Sequence, residues 1–141
     1  MRGNIVYLKA KAVHEKMYAL SGRIKDADRS NIYNEYFNLL KRAAYAGHAD
    51  AQYDLGQQYE TMNYLSIENP KYNPTKCIYW YTKAADQNHA AACNNLATFY
   101  ESGQGCEKDV EKALALYKKA AELGDPQGKE NYEIMKRQLR A

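Results

Sequence analysis

No stretch of this 141-residue chain approaches the eighteen or so consecutive apolar residues of a membrane-spanning helix, so no membrane partner is expected. An excess of one charge sign is lacking too. Twenty Lys and Arg face 17 Asp and Glu, and a net charge of +3 is too small to draw nucleic acid by itself. Cysteine is limited to Cys77, Cys93 and Cys106. An odd number without close pairing argues against a disulfide framework and predicts free thiols. The start, Met1 to Leu8, has a short apolar patch but runs into Lys9 and Lys11. It lacks the long apolar middle and cleavage site of a secretory signal, which makes a cytoplasmic location the expectation.

The marks of catalysis are missing as well. There is no Gly-x-Ser-x-Gly, no glycine-rich phosphate loop and no His-Glu-x-x-His. The carboxylates are scattered over solvated helix faces. His89 and Cys93, four apart, could offer two metal ligands, but a site needs three or four and no third is evident. The expectation is a chain that is not an enzyme, with no cofactor and no metal. Trp occurs once and Phe twice, whereas Tyr occurs 14 times. Tyrosine fills gaps between helices with its ring and keeps its hydroxyl at the wet edge.

What the chain does have is a repeat. The segments around Ala43-Ala44, Ala84-Ala85 and Ala120-Ala121 share one pattern, spaced 41 and then 36 residues apart. A period in this range means a stacked array, which works mostly through its surfaces. Gly47, Asn88 and Gly124 occupy one repeat position just after a helix, where a left-handed residue is needed. His48, His89 and Asp125 follow at the next position and read as helix starts. Asn73-Pro74 and Asp125-Pro126 pair a capping residue with a proline at the first helical position, and Asp109 is a third predicted cap.

Apolar residues recur at three- and four-residue intervals: Ala51, Leu55, Gly56, Tyr59; Cys77, Trp80, Tyr81, Ala84; Ala92, Leu96, Phe99, Tyr100; Ala113, Leu116, Tyr117, Ala120. The pattern predicts seven helices, near 5–21, 31–46, 49–62, 75–87, 90–102, 110–123 and 126–139. Leu8, Ala12, Met17 and Leu20 are the expected inner stripe of the first. Ile32, Tyr36, Leu39, Leu40 and Ala43 are that of the second. No stretch alternates well enough to predict a sheet. The charged last helix, with Lys129, Glu130, Glu133, Lys136, Arg137 and Arg140, suits a terminal cap.

These segments resemble a known family. Ala51-Gln52-Tyr53-Asp54-Leu55-Gly56-Gln57-Gln58-Tyr59 and Ala92 to Gly105 are similar to the first helix of a Sel1-like repeat, a relative of the tetratricopeptide repeat. Lys76 to Ala85 and Lys112 to Ala121 are similar to its second helix. The resemblance covers about residues 36–135 and implies an all-α, right-handed solenoid of antiparallel helix pairs. It divides a single domain, 1–141, into a degenerate helix pair (1–47), two repeats (48–88 and 89–124) and a capping helix (125–141). Its members act as adaptors and scaffolds for partner proteins or peptides, often on the concave face.

Carried onto this chain, the resemblance places a partner on Tyr53, Asp54, Gln57, Glu60, Asn94, Asn95, Thr98, Glu101 and Asn131. Related tetratricopeptide repeats use Asn just before the Leu-Gly pair to hold a partner backbone or carboxylate. Asn95 and Asn131 correspond, while Asp54 departs. The first repeat also departs by a long loop, 60–74, in which Tyr64, Leu65 and Tyr72 are further candidate contacts. Two alternatives follow from relatives: an immunity protein neutralising a toxin, and a β-lactam binder or weak hydrolase like some cysteine-rich members. The second is weakened because Cys93 faces Ala85 where those members carry a paired Cys. Self-association through the apolar start is a further possibility.

Overall fold

The computed structural model describes residues 2–20, 22–60, 63–64, 67–68 and 71–141. Seven helices carry it: α1 (Arg2–Ala19), α2 (Asp26–Tyr45), α3 (Ala49–Glu60), α4 (Pro74–Asp86), α5 (Ala90–Ser102), α6 (Val110–Glu122) and α7 (Pro126–Arg140). Between α3 and α4 the backbone forms two short strands, β1 (Asn63–Tyr64) and β2 (Ile67–Glu68). They pair antiparallel, Asn63 with Glu68 and Tyr64 with Ile67. The sequence pattern predicted no strand there, because two residues are too few to show an alternation.

The chain forms two compact units, Met1–Leu55 and Gly56–Ala141, and the division falls within the residues of α3. In the first, α1 packs on α2. Its inner face is Gly3, Ala10 and Met17, while Leu8 is 59% exposed and Ala12 is exposed. Of the expected stripe, Leu8 and Ala12 are thus corrected, while Met17 is buried as expected and Leu20 is half-buried. Small residues face α2 because the two axes run close. A Cβ on Gly3 would already lie 3.3 Å from that of Ala46. His14 sits between Tyr18 and Tyr36, its ring 4.9 and 4.6 Å from theirs. α2 starts at Asp26, five residues before the expected position, with Asp26 and Asp28 in its first turn where the helix dipole favours carboxylates.

In the second unit α4, α5, α6 and α7 pack consecutively, each on the next, and α7 also touches α5. Ala84, Ala85, Ala92, Ala97, Ala113 and Ala120 are all buried, which allows close helix approach. Around Ala97, Ala113, Tyr117 and Met135 pack Tyr100, Val110, Leu114, Leu116 and Tyr132.

Three turns have one geometry. Gly47, Asn88 and Gly124 take φ of 89°, 61° and 94°. The next residue's N–H returns to the carbonyl of the first alanine of each pair: His48 to Ala43, His89 to Ala84 and Asp125 to Ala120. With the bonds from Gly47 to Ala44, Asn88 to Ala85 and Gly124 to Ala121, each is a Schellman turn that satisfies the last helical carbonyls. Each next helix is capped by the residue just after the turn. The Nδ1 of His48 and of His89 accepts from Ala51 and Ala92 N–H, and the Asp125 carboxylate accepts from Gly128 N–H at 2.7 Å. Asn73 and Asp109 cap α4 and α6 in the same way. No atom lies within 4 Å of a Cβ built on Gly124, so Gly124→Ala tests backbone strain alone. It is expected to lower stability by about 1 kcal/mol, read from a urea midpoint. An unchanged midpoint would contradict the left-handed turn.

Candidate functional site

In the second unit the polar residues of the first helices form a directed hydrogen-bond chain. Gln127 Nε2 donates to Asn131 Oδ1 at 3.3 Å. Asn131 Nδ2 donates to Asn94 Oδ1 at 2.9 Å, and Asn94 Nδ2 to Asn95 Oδ1 at 3.3 Å. Asn95 Nδ2 donates to the Tyr81 hydroxyl at 3.4 Å, and that hydroxyl donates to the Glu60 carboxylate. Every N–H and O–H therefore points the same way, from α7 through α5 and α4 to α3. Aligned amide dipoles reinforce one another, and here they end on a carboxylate, the strongest acceptor available.

Local helix geometry makes this chain possible. Asn94 and Asn131 lie on neighbouring helices, α5 and α7, and Asn95 follows Asn94 directly. Tyr81 reaches up from α4, with its ring wholly buried and its hydroxyl at the level of α5. It has room because Gly56 faces it. A Cβ on Gly56 would lie 2.6 Å from the Tyr81 ring. One repeat on, the Tyr117 hydroxyl of α6 donates to Glu101 of α5 at 2.6 Å. Thus Glu60 and Glu101, equivalent in the repeat, are each held by the equivalent tyrosine. Burial and the adjacent carboxylate push both phenols well above the ordinary tyrosine range. In the first unit the Tyr7 hydroxyl donates to Asp54 at 2.7 Å, with the Tyr7 ring 4.4 Å from that of His48.

The expected contact residues thus fall into different situations. Asn94 is 8% exposed, and both ends of its amide are engaged within the protein. Asn95, Thr98, Glu101, Asn131 and Glu60 are half-buried and Gln57 is exposed. Thr98 turns its hydroxyl back onto the Asn95 carbonyl at 2.7 Å. Tyr53 and Asp54 are half-buried in the first unit. In the loop, Leu65 lies outside the described residues and Tyr64 contributes its backbone to β1. The Tyr72 hydroxyl accepts from Gln104 Nε2. Asn73 N–H bonds to the Tyr59 carbonyl at 2.8 Å, and a Cβ on Gly105 would lie 2.8 Å from that of Pro74. The return end of the long loop is therefore tied to the Gly103-Gln104-Gly105 loop of the next repeat.

The sequence reading did not single out Tyr81, Tyr117 or Gln127 as parts of the strip. A signal for the tyrosines existed: Tyr81 and Tyr117 stand 36 residues apart, and Glu60 and Glu101 stand 41 apart, the two repeat periods. A pair that recurs together marks a contact.

The thiols are poorly suited to nucleophilic chemistry. Cys77 and Cys93 are buried and Cys106 is half-buried, all free. Burial, with the Glu60 charge, pushes Cys77 up to about 12. Burial also raises Cys93 and Cys106, against the opposing pull of Lys119 and Lys112 respectively. An activated cysteine is shifted the other way. Cys93 Sγ lies 4.0 Å from the Ala85 carbonyl oxygen, which also accepts from Lys119 Nζ at 2.8 Å. Among the described residues no three of His, Cys, Asp and Glu converge on a metal-sized site. No described helix is long and apolar enough to cross a membrane. No buried side-chain polar atom among the described residues lacks a partner.

Comparison with known proteins agrees with this architecture. The Sel1 repeat model matches residues 49–89 and 90–125. Chitin synthase regulatory factor 3 of Schizosaccharomyces pombe is 33% identical over 110 residues, which is 74% of this chain and 11% of that protein. Protein sel-1 homolog 2 of Mus musculus is 34% identical over 103 residues, 72% of this chain and 14% of that one. The chain thus spans less than a sixth of the length of either relative. Among solved structures, a Sel1 repeat protein from Oxalobacter formigenes is similar, with a TM-score of 0.61 and 30% identity over 71% of this chain and 39% of that chain.

Proposed function

We propose, from the premise that this chain belongs to the Sel1 repeat family, that it is a docking module for another protein or an extended peptide. Sel1 repeat proteins generally serve as protein-interaction adaptors, and the family is one of non-catalytic repeat scaffolds. The observation that carries the reading here is the amide chain. Asn95 and Asn131 are half-buried and locked in orientation, yet each uses one N–H and one carbonyl lone pair inside the protein. The second N–H and the second lone pair of each can pair with a peptide backbone in either sense. Because the orientation is set before binding, little rotamer entropy is lost on docking. Glu60 and Glu101 flank the strip as fixed acceptors for partner N–H groups, and Asn94 acts from beneath by positioning its neighbours.

The test is a comparison of Asn95→Ala and Asn131→Ala with wild type. A partner captured from lysate by wild type is purified and its affinity measured by calorimetry. Each substitution is expected to weaken binding by about 1–3 kcal/mol, with thermal unfolding followed in parallel to separate binding from folding. Equal affinity in folded variants would remove this strip as the docking site.

A further inference from the structure

We propose that α2 carries a second docking surface, specific for an anionic peptide segment, at Asn38, Lys41, Arg42 and Tyr45. These residues follow one another at helical spacing, so they form one stripe on α2. They line a shallow, open concavity of about 540 Å³. The buried side of α2 is Tyr36, Leu40, Ala43 and Ala44, so the stripe is not part of the core. Tyr45 is 72% exposed, more than any other large hydrophobic residue among the described ones. The surface belongs to a helix that the amide strip does not use, and it goes beyond that reading.

Charge selects the occupant. Residues 1–55 hold nine Lys and Arg against six Asp and Glu, whereas residues 56–141 hold eleven of each. The whole net charge of the chain therefore sits in the first unit. Ion pairs hold other surface cations, such as Arg29 with Asp26, Lys118 with Glu122 and Lys136 with Glu133. Lys41 and Arg42 have no such partner among the described residues. Lys41 Nζ lies 5.7 Å from the centre of the Phe37 ring, which places the ammonium without neutralising it. Two adjacent cations beside an exposed aromatic ring suit a peptide with carboxylates and an apolar or aromatic neighbour. Arg42 can grip one carboxylate with two parallel bonds, Lys41 holds a second as a point charge, and Tyr45 supplies stacking area. Asn38 can pair with the peptide backbone between them.

The probe is a fluorescent peptide of eight glutamates and one tryptophan, titrated with the full chain in low salt and in 0.5 M salt. Wild type is expected to bind at low salt and to lose most of that affinity at high salt, since exposed charges are screened over a few ångströms there. Lys41→Glu with Arg42→Glu is expected to weaken binding by about tenfold or more, and Lys41→Arg with Arg42→Lys to retain it within a few fold. Tyr45→Ala should weaken binding by several fold at both salt concentrations. These side chains lie outside the core, so the melting temperature checks that the variants fold. No binding of the peptide by wild type, or equal binding by wild type and the charge-reversed variant, would overturn the proposal. So would tighter binding of a single-stranded oligonucleotide through the same residues, which would make the surface a phosphate reader instead.

Discussion

Tyr81→Phe is expected to lower the stability of the protein by about 2 kcal/mol, the usual range for a hydrogen bond to a charged group. The ring stays and its packing is unchanged, so only the hydroxyl is lost. That hydroxyl donates to Glu60 and accepts from Asn95. Its removal leaves Asn95 without its acceptor and cuts the amide chain off from its carboxylate. Asn95 would then turn more freely, so the variant should also bind a partner more weakly than its stability loss alone explains.

The same phenols give a pH dependence with a definite sign. In the unfolded chain tyrosine ionises near pH 10. In the fold, burial and the neighbouring carboxylates hold Tyr81, Tyr117 and Tyr7 protonated above that value. Above about pH 10 the unfolded chain therefore binds fewer protons than the folded one, and stability falls as pH rises. Below it the contribution is complete. Cys77, pushed up to about 12, adds to the loss once the unfolded thiol begins to ionise near about 8.5. Urea midpoints from pH 8 to 11 should decline steeply past pH 10, and Tyr81→Phe should decline less. A flat profile in wild type would contradict the buried Tyr81–Glu60 pair.

Gly56→Ala is expected to cost about 2 kcal/mol, although alanine is the better helix former by about 1 kcal/mol. Gly56 lies inside α3, and φ is not the issue there. The new methyl would lie 2.6 and 2.7 Å from two ring carbons of Tyr81. The ring cannot swing away, because it is fully buried and its hydroxyl is held at Glu60 and Asn95. A double-mutant cycle with Tyr81→Leu separates the two effects. With the ring gone, Gly56→Ala should become neutral or mildly stabilising, so that the two substitutions are strongly non-additive. Additive losses would mean that the glycine serves something other than ring clearance.

The sequence by itself determined the parts of this protein that depend on local rules. Helix type, the caps at Asn73, Asp109 and Asp125, and the left-handed turns at Gly47, Asn88 and Gly124 follow from spacing and backbone preference within a few residues. Repetition made them legible, because each signal appears two or three times in register. Membership of the family was legible for the same reason.

Only the tertiary structure decided which side chains meet. Glu60 and Glu101 read as partner contacts, and each is also gripped by a tyrosine 21 or 16 residues away. Asn94 read as one of the partner contacts, and the fold buries it as a link between α5 and α7. The inner face of α1 was misread because apolar character marks Leu8, whereas the closeness of α2 selects Gly3 and Ala10. Periodicity names the residues that can face a neighbour. It does not carry the distance between axes, and that distance decides whether a leucine or a glycine fits.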